Sequence, residues 1–263
     1  MRIVTLLENS ACREDISCEH GLSLYIETCG KKILFDAGQS GTFACNAEKL
    51  GIDLAGVELA VLSHGHYDHG GGLAAFLKIN QTAPVYLHRD AFDPHYNGTR
   101  KYIGLDPALR ESDRLIFVDG KVKLAPGITL HGEGIENLSQ AIEPYGLTRK
   151  AGEAYLPEDF RHEQYLLVEE NGKKICISGC SHRGVVNIAR HFRPDVLVGG
   201  FHFQKLDPDG AGAEVLTRAA EELLSLDCVY YTGHCTGRAQ FDFLKQIMGD
   251  RLHRISTGAE IQR

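Results

Sequence analysis

The chain has 263 residues, 43% of them hydrophobic and 24% charged, with a formal net charge of −7 and a pI near 6.0. That size and apolar content suit one globular domain, expected over residues 1–263, with material for a sizeable core. The acidic balance offers no field for a nucleic acid and no apolar run approaches a bilayer span, so neither is an expected partner.

In chain order, Met1-Arg2-Ile3-Val4-Thr5-Leu6-Leu7-Glu8 is too short in its apolar part for a signal peptide. It reads as a first strand, Ile3–Leu7, and a cytoplasmic location is the expectation. Strands follow at Leu22–Thr28 and Lys32–Phe35, then a helix over Thr42–Leu50 and a buried strand at Val57–Leu62. Asp36, at the end of its strand, is placed to hold a ligand imidazole through its carboxylate. Directly after Val57–Leu62 comes Ser63-His64-Gly65-His66-Tyr67-Asp68-His69-Gly70-Gly71, with three imidazoles and one carboxylate in six positions. These donors suit zinc, iron and manganese. The two-residue period of extended chain puts His64 and His66 on one side. The glycine turn before a helix over Leu73–Asn80 aims Asp68 and His69 elsewhere, towards a second ion. The spacing predicts a dinuclear metal site at a strand end.

Strands are expected next at Val85–His88, Arg114–Val118, Lys121–Leu124 and Ile128–His131. Two segments, 89–113 and 133–162, have weak periodicity and are rich in Gly, Pro, Tyr and charge. Segments this long are expected to be lid insertions over the metal edge. Within the second, Arg149, Lys150 and Arg161 are candidates for holding an anionic group, against the simpler reading of a solvated charged face. Asn171-Gly172 between Gln164–Glu169 and Lys174–Ile177 signals a hairpin. Helices over Arg183–His191, Ala213–Ser225 and Arg238–Met248 then alternate with strands at Val196–Val198, Cys228–Thr232 and Leu252–Ser256. His202 follows an apolar strand and is expected either to support a ligand or to face substrate. His88, His95, His131, His191 and His253 lack such context and read as structural or solvated. A faint echo links strand–His64-Gly65-His66–glycine–helix with strand–Cys180-Ser181-His182–glycine–helix. Two such halves, face to face, would bring both ligand sets to one edge.

The eight cysteines form no Cys-x-x-Cys pair, so a zinc ribbon or thioredoxin-like motif is absent and reduced thiols are expected. Cys29, Cys176 and Cys228 lie in strand-like runs and read as core residues. Cys12 and Cys18 flank an acidic loop and read as ordinary thiols rather than redox groups.

His64-x-His66-x-Asp68-His69 resembles the signature of the metallo-β-lactamase fold superfamily. Ile33-Leu34-Phe35-Asp36-Ala37-Gly38 resembles its strand ending in Asp-x-Gly, and Ile175-Cys176-Ile177-Ser178-Gly179-Cys180 sits where it has a strand ending in Gly-Asp. Tyr230-Tyr231-Thr232-Gly233-His234-Cys235 resembles the late strand that delivers the last metal His. These landmarks span roughly Arg2 to Ser256. Glu19-His20-Gly21-Leu22-Ser23, Gly179-Cys180-Ser181-His182 and His234-Cys235-Thr236-Gly237 resemble more narrowly the dihydropterin–ribofuranosylaminobenzene phosphate synthase-like branch. The resemblance implies an α/β fold, a four-layer αββα sandwich of two mixed sheets with outer helices. It implies metal ligands at His64, His66, Asp68, His69 and His234, with Cys180 in the place of a bridging Asp. A thiolate there would favour zinc or iron over magnesium or manganese; otherwise Cys180 is a buried thiol at the site edge. The Gly-His-Thr-like turn that supplies a further His in relatives does not occur between Gly72 and Gly179. His162 with Glu163, or His182, is expected to complete the first site, and spacing does not choose between them.

Two divalent ions, zinc first with iron or manganese as alternatives, about 3.5–4 Å apart would share a water and lower its pKa towards neutrality. The resulting hydroxide would attack a carbonyl or phosphorus centre, with Asp68 as the catalytic ligand and orienting acceptor. No Ser nucleophile elbow, P-loop or GxGxxG segment offers another route. The leading expectation is a metal-dependent hydrolase of a small anionic ester, such as a phosphodiester, thioester or lactone. The branch implies an alternative, a transferase or synthase step in pterin-type cofactor synthesis. A third reading is a metal- or redox-responsive binding protein using Cys180 and Cys235 without turnover. Oligomeric state stays open.

Overall fold

The structure is a computed structural model that describes residues 1–136 and 138–262. The first half runs β1 (Arg2–Leu7), β2 (Ser23–Thr28), β3 (Lys31–Phe35), α1 (Thr42–Lys49), β4 (Leu59–Val61), α2 (Tyr67–Gly70), α3 (Leu73–Ile79) and β5 (Val85–His88). Then come β6 (His95–Asn97), β7 (Lys101–Tyr102), β8 (Leu115–Val118), β9 (Lys121–Ala125), β10 (Ile128–His131), β11 (Leu147–Ala151) and β12 (Ala154–Pro157). The chain finishes with β13 (Tyr165–Glu170), β14 (Lys173–Ile177), α4 (Val185–Phe192), β15 (Val196–Val198), α5 (Gly212–Leu224), β16 (Val229–Thr232), α6 (Arg238–Met248), β17 (Leu252–Arg254) and β18 (Glu260–Gln262). Among the described residues no helix is long and apolar enough to cross a membrane.

Two seven-stranded sheets form, in the orders β18-β1-β2-β3-β4-β5-β8 and β17-β16-β15-β14-β13-β10-β9. Side-chain alternation explains why they stack. Along β3, Ile33 and Phe35 enter a core shared with Leu130, Val168, Ile177 and Val198 of the other sheet. Leu34 points the opposite way, into a core with Phe43 of α1 and Phe76 of α3. The second sheet likewise packs its outer face on α4, α5 and α6 through Ile188, Leu216, Leu223 and Leu244. Three apolar cores thus separate four layers, the αββα sandwich. Each fully buried Ile, Leu or Phe contributes roughly 1.5–3 kcal/mol. A one-residue slip would swap every face, so this burial fixes the register.

Both sheets are mixed in the same way. From β18 inwards, and from β9 inwards, three antiparallel joins are followed by three parallel ones. This corrects the echo read from the sequence. β4 is the second strand of its parallel run, whereas β14 is the first of the other. By position β14 corresponds to β3, so Gly179–Cys180 matches the Asp36 turn and the His64–His66 loop matches Gly199–His202. The two ligand loops still meet, because both leave the C-terminal ends of parallel strands.

Segments 89–113 and 133–162 contain strands that periodicity did not mark. They supply β6, β7, β11 and β12, which pair as a small third sheet in the order β12-β11-β6-β7. These strands are short and β12 has no buried residue, so no alternation announces them. Asn137, within 133–162, and Arg263, at the end of 1–263, lie outside the described residues. All eight cysteines are unpaired; Cys176 and Cys228 are buried, whereas Cys29 is half-buried.

Candidate metal centre

The ligand loop is held by one buried carboxylate. Asp36 leaves β3 in a left-handed conformation, φ 58°. Its carboxylate accepts the Ser63 N–H at 2.7 Å, the Ser63 hydroxyl at 2.7 Å and His69 Nδ1–H at 2.6 Å. Gly65 lets this loop pass beside the chain after β5, since a Cβ there would stand 1.9 Å from the Ala91 carbonyl oxygen. His66 is still extended, and the single turn of α2 then carries Asp68 and His69.

The hydrogen-bond network fixes the tautomers. Ser63 gives its proton to Asp36, so its oxygen accepts Nδ1–H of His64 at 2.8 Å, and His64 Nε2 is left as a lone pair. His182 Nε2 stands 3.2 Å from it. His69 also spends Nδ1–H on Asp36, and its Nε2 lies 3.2 Å from both Cys180 Sγ and His234 Nε2. His234 donates Nδ1–H to Asn9 Oδ1 at 2.9 Å, which turns its Nε2 to within 3.3 Å of Asp68 Oδ2. Lone pairs facing one another at such distances require a cation or a proton between them. His64, His66 and His182 are close enough to share one ion, and beside them the distances gather Asp68, His69 and His234 with Cys180, all buried. His66 Nε2 and His182 Nδ1 are also sealed from solvent without a partner.

Electrostatics separates the two sets. Burial pushes His64, His66 and His182 well below the ordinary histidine range, so these rings are neutral at pH 7. Burial works the same way on His69, but the Asp36 and Asp68 carboxylates outweigh it and hold its pKa up at about 9. Burial opposes ionisation of Asp68, yet His69, His20 and His234 overcome it and keep the carboxyl well below its usual range. Burial raises the Cys180 thiol, with Cys235 beside it adding to the rise.

Of the alternatives for a further ligand, the structure brings His182 against His64. Glu163 instead accepts the His182 N–H at 2.7 Å, the Arg183 N–H at 3.0 Å and the Tyr165 hydroxyl at 2.7 Å, anchoring the loop that carries His182. His162 accepts the Gly65 N–H on Nδ1 at 2.8 Å, and its partnerless Nε2 lies with those of His66 and His95 in a further buried group of possible donors. His202 lines the pocket with φ 57° and its ring 4.2 Å from that of His182.

Several supporting residues had no sequence signal of their own. Glu8 accepts the His234 N–H at 2.6 Å, and His20 Nε2 lies 3.1 Å from Asp68 Oδ2. His95, read as structural, is buried with Nδ1 2.7 Å from Glu158, and its ring is 5.5 Å from that of His66. Only the Glu19–Ser23 landmark pointed near any of them.

A mouth of about 180 Å³ opens onto the centre, lined by His20, Tyr67, Asn97, Lys101, Ile103, Leu147 and Lys205 among others. The third sheet and its flanks thus wall the metal edge. Its cations are not the expected ones. Arg149 and Arg161 pair with Asp159 at 3.4 and 2.7 Å, and Lys150 sits over the Tyr155 ring.

The family model described as the metallo-beta-lactamase superfamily matches residues 17–234. A Methanocaldococcus jannaschii protein named 7,8-dihydropterin-6-methyl-4-(beta-D-ribofuranosyl)-aminobenzene-5'-phosphate synthase is 28% identical over 282 residues, covering 96% of this chain and 94% of that protein. A solved structure described as a metal-dependent hydrolase of the beta-lactamase superfamily is 29% identical with a TM-score of 0.80, covering 100% of this chain and 99% of the other. Zn(2+)-bound PqqB from Methylobacterium extorquens matches in fold alone, at 11% identity and a TM-score of 0.59 over 100% of both chains.

Proposed function

Because the chain belongs to the metallo-beta-lactamase superfamily, we propose that it is a metal-dependent hydrolase of a small anionic ester, a phosphodiester, thioester or lactone. The observation that carries this reading is the pair of buried donor sets sharing one pocket, His64, His66 and His182 beside Asp68, His69, His234 and Cys180. In this reading the pocket holds two divalent ions, zinc first and iron or manganese as alternatives. When bound they supply Lewis acidity, which makes water a nucleophile near neutral pH and polarises the ester. The chain's own groups do the positioning. Asp36 aims His69 directly and His64 through Ser63, while the Asp68 carboxylate is both a metal ligand and an orienting acceptor at the reacting edge. Lys101 and Lys205 give the mouth its attraction for an anion. The 29% identical metal-dependent hydrolase supports the reading.

The test is elemental analysis together with hydrolysis of generic esters. About two ions per chain are expected. His66→Ala and Asp68→Ala are each expected to cost about a thousandfold in rate, equivalent to about 4 kcal/mol of lost metal-assisted stabilisation. Full activity in either variant overturns the reading. The synthase-named relative favours a second reading, group transfer on a pterin-type phosphorylated substrate. Turnover of pterin and aminobenzoate-derived substrates, with no ester hydrolysis, would select it.

A further inference from the structure

We propose that the substrate is bipartite: its anionic reacting group occupies the mouth, and a flat aromatic group occupies a separate cavity behind His202. This rests on the hydrolase reading and names the substrate class for it. The mouth, about 180 Å³, holds a phosphate- or carboxylate-sized group and little more. The rest of an organic substrate needs another place. A second cavity of about 540 Å³ adjoins the mouth, and His182 and His202 stand in the walls of both. That volume lies within the roughly 300–1,000 Å³ usual for small-molecule sites.

Its walls select the ligand. Tyr145 and His202 present rings, the core residues Phe201 and Phe203 close the floor, and Val215, 45% exposed, forms an apolar rim. Aromatic side chains favour stacked or edge-on partners, which suits a flat ring system. The charges at this cavity do not call for an anion. Arg218 is paired with Glu214 at 2.9 Å and Glu222 with Arg190 at 2.9 Å, while Glu143 adds a carboxylate that repels one. The negative end of the substrate is therefore directed to Lys101 and Lys205 in the mouth, and the neutral end to the rings. Two of the ring-bearing wall residues, Tyr145 and His202, have positive φ values of 48° and 57°. Such backbone is strained for a non-glycine residue, and here it sets two rings 5.6 Å apart at the junction.

Zinc-loaded protein titrated with methyl 2-naphthyl phosphate and with dimethyl phosphate tests this. Naphthyl fluorescence reads the first without interference, since the chain has no tryptophan, and calorimetry reads the second. The naphthyl diester is expected to bind at least tenfold more tightly. Val215→Tyr, which fills the rim away from the metal ligands, is expected to weaken it at least fivefold and leave dimethyl phosphate unchanged. Tyr145→Ala should do the same by removing a wall. Equal binding of the two diesters, or naphthyl binding that neither variant alters, overturns the proposal. Release of 2-naphthol is scored separately. Tight, Val215-sensitive binding without release supports the cavity and counts against the hydrolase reading.

Discussion

Cys180 and Cys235 are neighbours with different outlooks. Cys180 Sγ stands 3.2 Å from His69 Nε2, whereas Cys235 directs its thiol to the Cys180 carbonyl at 3.5 Å. Cys180 Sγ faces the imidazoles, so Cys180 is expected to bind zinc or cobalt as a thiolate once the ion displaces the proton that burial favours, ahead of Cys235. Cobalt-loaded protein should show a near-ultraviolet thiolate-to-cobalt band that Cys180→Ser abolishes and Cys235→Ser preserves. A band that survives in Cys180→Ser would show that Cys180 is no ligand. At this scale the sequence was legible where donors are consecutive. His64 and His66 needed only the strand period, Asp68 and His69 the glycine turn after them, and Asp36 only its place at a strand end. Where His162, Glu163 and His182 stand around the site was not legible, because it depends on contacts across the fold. Asn9 and Glu8 reach His234 over separations of 225 and 226 residues, which no local pattern records.

The ligand-bearing loop depends on the element it passes. Gly65 lies between two candidate ligand histidines, and a Cβ on it would meet the Ala91 carbonyl oxygen at 1.9 Å, backbone that cannot rotate away. Gly65→Ala must therefore shift either the segment after β5 or the loop holding His64 and His66. Overpacking of this kind costs roughly 1–3 kcal/mol, or roughly 2–12 °C of Tm for a domain near this size. Gly120→Ala is the control, since nothing lies within 4 Å of its Cβ position. A thermal melt in which the two variants behave alike would rule out the close approach as a constraint. Elements with a run or stripe of buried apolar residues were readable to within a few residues, as β5, β10, β15 and α6 show. The strands of the third sheet were not, because their burial comes from packing over the site rather than from a repeating face.

At the scale of the molecule, the donors divide between the two sheets. His64, His66, Asp68 and His69 leave the first sheet after β4, whereas Cys180, His182 and His234 leave the second after β14 and β16. The layered architecture was readable from strand and helix order together with the family resemblance. The matching of β4 with β15 was not, since it depends on sheet order rather than on loop sequence. The division has a thermodynamic consequence. In the proposed reading, ions held by both groups would join the sheets at one edge and bind the folded chain far better than the unfolded one, in which only the local run from His64 to His69 remains. At a free metal concentration a thousandfold above Kd this stabilises the fold by about 4 kcal/mol, which corresponds to a Tm rise on the order of 10 °C. Chelator-treated protein should melt that much lower, and zinc should restore it. In a His182→Ala/His234→Ala variant, which keeps the whole first-sheet loop, most of the zinc-dependent rise should vanish. If that variant still gains the full rise, the stabilising ion is held by the first-sheet loop alone and does not join the two sheets.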